Sequence, residues 1–496
     1  MTDVQRAEVP GFGARRRGSL RALGIFAVTL AAYVPAALHR RREADIYMAS
    51  LEGWRIASAH TPWFTHEIVA QIPHTFRFEL GPGPDGQVLA HRSPGVVLAA
   101  IPGYVLAHTG DAVSAFTLVP TAITAALLAA ISVTLLFLTL TRRTSPTTAV
   151  LGTLAFALAT PMWVINGSGL WTHNLTVLGI CGMAWAAERE RWIVVGLFAT
   201  VAIWGRVHTV LIVAILGVGL AWSHRDKVIA LKVAIVSIVG TLAASLWTHW
   251  LYGSWFPSGG YTAGTYTSMT LDRHGEGLIH YSLVNQLGLW VSPGRGLLVW
   301  TPIIVVLTAA VIRNWRDLPP WSQWLAIGGF AYTLVQGELN GFSGGNHFYG
   351  YRLPLELLTC LAPALILSVR RAGGMAKRLL APVLSLQFAV MALGALSGGA
   401  GLDEKRAWTD NVFWQVCREA PGVIVPLTVI AMGIAWLAAR IIRKNTAGQE
   451  PVRSSEQALA ATPISSSAAA ALEPTTGVTH SRPRTRRPRT GSDSAP

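Results

Sequence analysis

The stretch Glu43-Ala-Asp45-Ile-Tyr-Met-Ala-Ser-Leu-Glu-Gly-Trp54 sets a carboxylate, Asp45, just after an apolar run and a basic cluster at Arg40–Arg42. An acid just beyond a membrane helix can be held partly out of water. Its pKa then rises toward the range in which it accepts a proton from a sugar or lipid hydroxyl. The simpler use of the same acid is a solvated ion pair with Arg40–Arg42. Further along, His91-Arg92-Ser93-Pro94 places two basic side chains where a short apolar segment begins. Such a pair suits a phosphate at a membrane surface, with interfacial anchoring as the competing use. His173 follows Trp171, which reads as an interface-belt residue, and Arg206 and His208 stand at a turn between two apolar runs. Charge near a membrane is costly and is usually paired or functional. Arg295 lies in Ser292-Pro-Gly-Arg-Gly-Leu-Leu298. A Gly-flanked Arg before a helix offers a guanidinium and free N–H groups to an anion, or it marks a simple capped turn. The segment Asn340–Arg352 is glycine-rich and crowds His347, Tyr349 and Arg352 together. No Walker loop, HExxH, nucleophile elbow or Cys-x-x-Cys occurs. Cys181, Cys360 and Cys417 are far apart and odd in number, which points to neither a disulfide framework nor a zinc site.

The elements that must position these residues are set by composition. Of 496 residues, 51% are hydrophobic and only 13% are charged, against about 25% charged in soluble domains. Mean hydropathy is +0.42, so a soluble enzyme is excluded. A basic segment, 1–21, precedes a first apolar run at 22–38, read as a retained helix because no cleavage site follows. Further runs near 113–141, 147–166, 173–187, 191–205, 207–222, 228–248, 297–312, 321–338, 354–369, 378–397 and 421–442 bring the expected total to about twelve spans, within 11–13. The 94–108 run is too short to span and reads as an interfacial or re-entrant helix. Residues 191–222 are too long for one span and read as a hairpin broken at Gly205-Arg206.

This arrangement sends Arg142-Arg143, Arg189/Arg191, Arg225/Lys227, Arg313/Arg316, Arg370/Arg371 and Arg440/Arg443 to the cytoplasm, as the positive-inside rule asks. His39–Arg42 is the exception and lies outside, where an anionic ligand would explain its charge. On that outer face fall Asp45, His91, Arg92, His173, Arg206, Arg295, His347 and Arg352. The expected fold is an all-α polytopic membrane protein with a long first extracytoplasmic loop carrying interfacial helices. Its body spans 22–442. Residues 443–496 form a disordered basic tail, drawn to anionic lipid heads rather than to nucleic acid. The net charge of +15 therefore divides into topology signal, tail and a small outer set.

The order of these segments resembles the GT-C superfamily of polytopic glycosyltransferases, especially the branch related to protein O-mannosyltransferases and lipid A aminoarabinose transferases. The residues that carry the resemblance run in order through roughly 20–440: Asp45-x-Tyr with Ala49-Ser-Leu-Glu-Gly, Asp85-Gly86 through Ser93-Pro94-Gly95, Leu170-Trp-Thr-His173, Gly205-Arg206, Tyr252-Gly-Ser-Trp-Phe-Pro257, Ser292–Leu298 and His347-Phe-Tyr-Gly-Tyr-Arg352. The resemblance implies a catalytic acid at Asp45, with Glu43 as the other member of an acidic pair. It implies a basic residue, His91 or Arg92, on the lipid phosphate. Many relatives carry Pro at Tyr351 and Trp-Gly-Gly at Ser343-Gly-Gly, and the large C-terminal outer domain of some is absent here.

The expected function is transfer, with inversion, of a sugar from a polyprenyl-phosphate donor to an extracytoplasmic acceptor: a cell-envelope glycan, lipid or protein. Asp45 is the expected base. Arg92, Arg295 and Arg352 neutralise the leaving phosphate. His173 and His347 orient the donor, and Glu43, His91, Arg206 and Tyr349 complete the expected site. The lipid tail would lie near 94–108. No cofactor is assigned, and a divalent cation is left open. The expected location is the plasma membrane, with the site outside. The alternative is a secondary transporter or flippase, which would show midplane ionisable residues, broken helices and inverted repeats.

Overall fold

The computed structural model describes residues 12–40, 42–259, 278–346, 348–398 and 401–447. Each apolar run read from the sequence is helical. Helix α1 spans Phe12–Leu38, reaching back through Arg15–Arg17 beyond the apolar run, because Ala, Arg and Leu all favour a helix. The first loop holds α2 (Ala44–Ala59), two short helical turns, and a hairpin of β1 (Leu80–Pro82) and β2 (Val88–Ala90). Helix α3 (Pro94–Leu106) follows. The remaining bundle consists of α4 (Val119–Leu140), α5 (Pro146–Leu158), α6 (Thr172–Ala187), α7 (Trp192–Gly205), α8 (Val210–His224), α9 (Lys227–Tyr252), α10 (Leu278–Val291), α11 (Ile303–Asn314), α12 (Pro320–Leu339), α13 (Leu355–Ser368), α14 (Gly374–Leu396), α15 (Val412–Glu419) and α16 (Pro421–Ala447).

Six helical segments among the described residues are long and apolar enough to cross a membrane: Gly18–Leu38, Val119–Leu140, Val207–His224, Lys227–Tyr252, Gly374–Leu396 and Pro421–Lys444. Three more apolar helices, α3, α5 and α7, are shorter. The 13 residues of α3 rise only about 20 Å, too little for a hydrocarbon core of about 30 Å. The break between α7 and α8 falls at Arg206, whose backbone is extended (φ −147, ψ 118).

What surrounds the bundle is legible in its surface. On α9, Leu231, Ile235, Ile238, Leu242 and Leu246 are each more than half exposed, at helical spacing. In water such a stripe would be unfavourable at roughly 25 cal/mol per Å²; in lipid it is at rest. The chain is thus a helical membrane protein. Inside, Tyr33, Phe137, Trp163, Tyr351 and Leu355 belong to one buried core shared by several helices.

Two local features aim the first loop. Hairpin register pairs Leu80 with Ala90 and Pro82 with Val88. Its turn needs left-handed backbone at Asp85 and Gly86 (φ 61 and 76), which an Asp-Gly pair accepts at low cost. Residues 91 and 92 follow directly from this turn and strand. Gly53 lets α2 lie against α3: a Cβ there would come within 2.5 Å of the Ala100 Cβ.

Candidate functional site at the N-terminus of α2

Asp45 sits in the first turn of α2, and Glu43 is the residue that caps it. Among the described residues it pairs with neither Arg40 nor Arg42, and Arg41 lies outside them. Arg92 Nη1 donates to Asp45 Oδ1 at 2.5 Å, and Arg352 Nη1 donates to Asp45 Oδ2. Arg92 also forms an ion pair with Glu79, at the end of the turn before β1. Arg352 is further fixed by donating from Nε to the Gly344 carbonyl at 2.7 Å. Burial would raise the Asp45 pKa, but the Arg352 and Arg92 guanidinium groups outweigh it and hold the carboxyl well below the usual range.

Glu43 behaves differently. It is buried, and its Oε1 has no hydrogen-bond partner among the described residues. Burial pushes its pKa up to about 7, against the pull of Arg40 and Arg352, and the Asp45 charge adds to the rise. One acid of the pair is a fixed anion and the other titrates near neutrality. Two turns along α2, Glu52 is fully buried with neither oxygen hydrogen-bonded among the described residues. Burial drives its pKa well up, with Arg92 opposing.

Trp171 is the floor shared by two cations. Arg352 lies 4.8 Å from its ring centroid and Arg40 lies 5.3 Å from it. At 3% exposure, Trp171 is an interior platform and not the interface-belt residue its sequence position suggests. Cation–π attraction is strongest when the pair is desolvated, as here.

A second network begins two residues later. His173 Nδ1 lies 2.7 Å from Glu356 Oε1, and His173 Nε2 lies 3.2 Å from Arg206 Nη2. Thr176 Oγ1 donates to the same Glu356 oxygen at 2.7 Å. Arg206 donates to Gln336 Oε1 at 2.8 Å, and His208 Nε2 is 2.6 Å from that same oxygen. Glu356 stands one helical turn after Arg352, so the two networks share the start of α13.

The other expected residues take different places. The His91 ring packs edge-on against Tyr252, centroids 5.3 Å apart, and burial followed by the Arg92 charge lowers its pKa. Of the two basic candidates, Arg92 is the one that reaches Asp45. Arg295 donates to the carbonyls of Phe348 (2.8 Å), Gly350 (2.9 Å) and Leu402 (3.1 Å), tying its turn to two other loops. Tyr349 donates to the Val390 carbonyl at 3.0 Å and packs on Trp300. His347 lies outside the described residues.

Sequence reasoning missed Glu79, Glu52, Gln336 and Glu356, and weighed Arg40 within its basic cluster, as a partner for Asp45 or for an anionic ligand. Glu356 had a signal: it is the one acid in the apolar run 353–369, where an unpaired charge would be costly. Glu52 had the same signal in weaker form. Glu79 had none, since its partner comes from across a hairpin.

Among the described residues, no three His, Cys, Asp or Glu side chains group as metal ligands. Two guanidinium groups on Asp45 make this carboxylate a poor ligand for a divalent cation. Chemically, the site offers a fixed anion between two cations, a carboxyl able to exchange a proton near pH 7, and a flat aromatic surface. Comparison with protein-family models, curated proteins and solved structures finds no match to this chain.

Proposed function

We propose that this chain is a membrane glycosyltransferase that takes a sugar from a polyprenyl-phosphate donor and transfers it to an acceptor hydroxyl outside the cytoplasm. The acceptor is a cell-envelope glycan, lipid or protein. The observation that carries this reading is the acid pair Glu43 and Asp45 at the end of a membrane helix, with Asp45 clamped between Arg92 and Arg352. In the reaction the acceptor oxygen attacks the anomeric carbon and the bond from that carbon to the phosphate oxygen breaks. The bonding electrons leave with the phosphate, and the hydroxyl proton goes to a carboxylate. The role of base, which the sequence reading gave to Asp45, falls to Glu43, because a general base works best with a pKa near ambient pH. Asp45 holds Arg92 and Arg352 in place for the phosphate charge that develops on bond cleavage. Trp171 offers a stacking surface, and His173 and Thr176 hold Glu356 at the start of the helix that follows Arg352. About twelve spans in the plasma membrane, with the α2 face outside, complete the proposal.

A transporter asks for ionisable groups at mid-membrane. Here His173 and Glu356 lie in the first turns of α6 and α13, at the end that carries Asp45. This supports the transferase reading over the alternative.

The test is release of polyprenyl phosphate by the purified protein from a panel of polyprenyl-phosphate pentoses and hexoses. Asp45→Asn is expected to lower the rate by roughly 10²–10³-fold while still inserting and folding. Full activity in that variant overturns the mechanism.

A further inference from the structure

A cavity of about 410 Å³ lies beside α2, between the end of α1 and the start of α4. Its volume falls in the range of small-ligand sites. Arg40, Arg42 and Gln71 line it, and among the described residues no carboxylate does. Leu51, Ile68 and Phe116 line it as well. Leu38 and Val119 also border it, and both are about half exposed. They are the last residue of α1 and the first of α4, so the cavity opens where two membrane-spanning helices end.

Unlike Arg92 and Arg352, neither Arg40 nor Arg42 is within ion-pair distance of a carboxylate among the described residues. Arg40 donates through Nη1 to the Val164 carbonyl at 2.5 Å and to Ser168 Oγ at 2.7 Å. Its Nε and Nη2 have no hydrogen-bond partner among the described residues. Buried guanidinium N–H groups without acceptors are costly, and an anion is the acceptor they match best. Arg42 is exposed and adds a second positive charge at the same rim.

We infer that this cavity is a binding site for an anionic phospholipid, its phosphodiester held by Arg40 and Arg42 and its first acyl carbons lying along Leu51, Ile68 and Phe116. Charge complementarity selects the headgroup, and the position of the mouth at the helix ends selects a lipid over a free anion. The inference rests on the membrane fold and does not depend on the transferase reading, since binding is measured without turnover.

The experiment is native mass spectrometry of the full chain in non-ionic detergent, titrated separately with phosphatidylglycerol, phosphatidylcholine and a polyprenyl monophosphate. The expected result is retention of one phosphatidylglycerol at least tenfold tighter than phosphatidylcholine. Arg42→Gln removes an exposed charge, and Gln71→Trp fills an exposed part of the lining with both arginines intact. Each is expected to weaken phosphatidylglycerol binding about tenfold or more, with the thermal midpoint of the lipid-free protein unchanged. Arg418→Gln, an exposed cation on α15, is expected to bind as the unaltered chain does. Equal binding of the two phospholipids, or undiminished binding in both cavity variants, overturns the inference. Retention of polyprenyl monophosphate with no phosphatidylglycerol bound overturns it too.

Discussion

Two carboxyl groups separated by one residue have opposite electrostatic surroundings. Asp45 has a guanidinium on each oxygen, so it stays ionised at any ordinary pH. Glu43 is buried, with its Oε1 unbonded, and its pKa is raised to about 7. A base acts when deprotonated, so the transfer rate is expected to climb as pH rises through about 7 and then level off. In Glu43→Gln this ascending limb is expected to vanish along with most of the rate. In Asp45→Asn the residual activity is expected to keep the limb, displaced to lower pH. The reason is that loss of the Asp45 charge eases ionisation of Glu43 and leaves two cations nearby. A pH–rate profile of the three proteins checks this, and an unchanged limb in Glu43→Gln would remove Glu43 from the mechanism.

At the scale of elements, α13 links the two polar networks. Arg352, just before it, holds Asp45, and Glu356, its second residue, accepts from Thr176 and contacts His173. Both side chains of the His173–Glu356 pair are wholly buried. Removing one partner of a buried pair costs about 3–5 kcal/mol, because the other is left without compensation. Glu356→Ala is therefore expected to lower stability by about 3 kcal/mol, read as a fall in the thermal midpoint in detergent. Glu356→Gln keeps an acceptor for Thr176 and is expected to lose less. Equal stability of Glu356→Ala and the unaltered chain would contradict a supporting role for this contact. At the opposite end, Glu188 after α6 accepts from Arg143 Nε (2.8 Å) and Trp321 Nε1 (2.8 Å), which pins the ends of α4, α6 and α12 together.

For the whole molecule, the testable property is orientation. Asp85 lies exposed at the hairpin tip beside the site, and Arg142 lies exposed just beyond the last residue of α4. With Cys417 replaced by Ser, a cysteine at 85 is expected to react with a membrane-impermeant maleimide in intact cells. A cysteine at 142 is expected to react only after the membrane is opened. Cys181 and Cys360 are buried and should stay silent. The reverse pattern would put the site on the cytoplasmic side and end the proposal of an external acceptor.

The sequence by itself determined the membrane class, the helix at each apolar run, the short α3 and the break at Arg206. All of these follow from local hydropathy, chain length against bilayer thickness, and the turn chemistry of a few residues. It also singled out Glu43, Asp45, Arg92 and Arg352. It could not show that these four meet, or that Arg295 and Tyr349 are spent on backbone carbonyls instead. Asp45 reaches its two partners across 47 and 307 positions of chain. Ion pairing over such separations is decided by which helices pack together, and neighbouring residues in the sequence carry no record of that. For the same reason Glu79 and the Trp171 platform emerged only from the packed structure, while Glu356 announced itself locally as a lone acid in an apolar run.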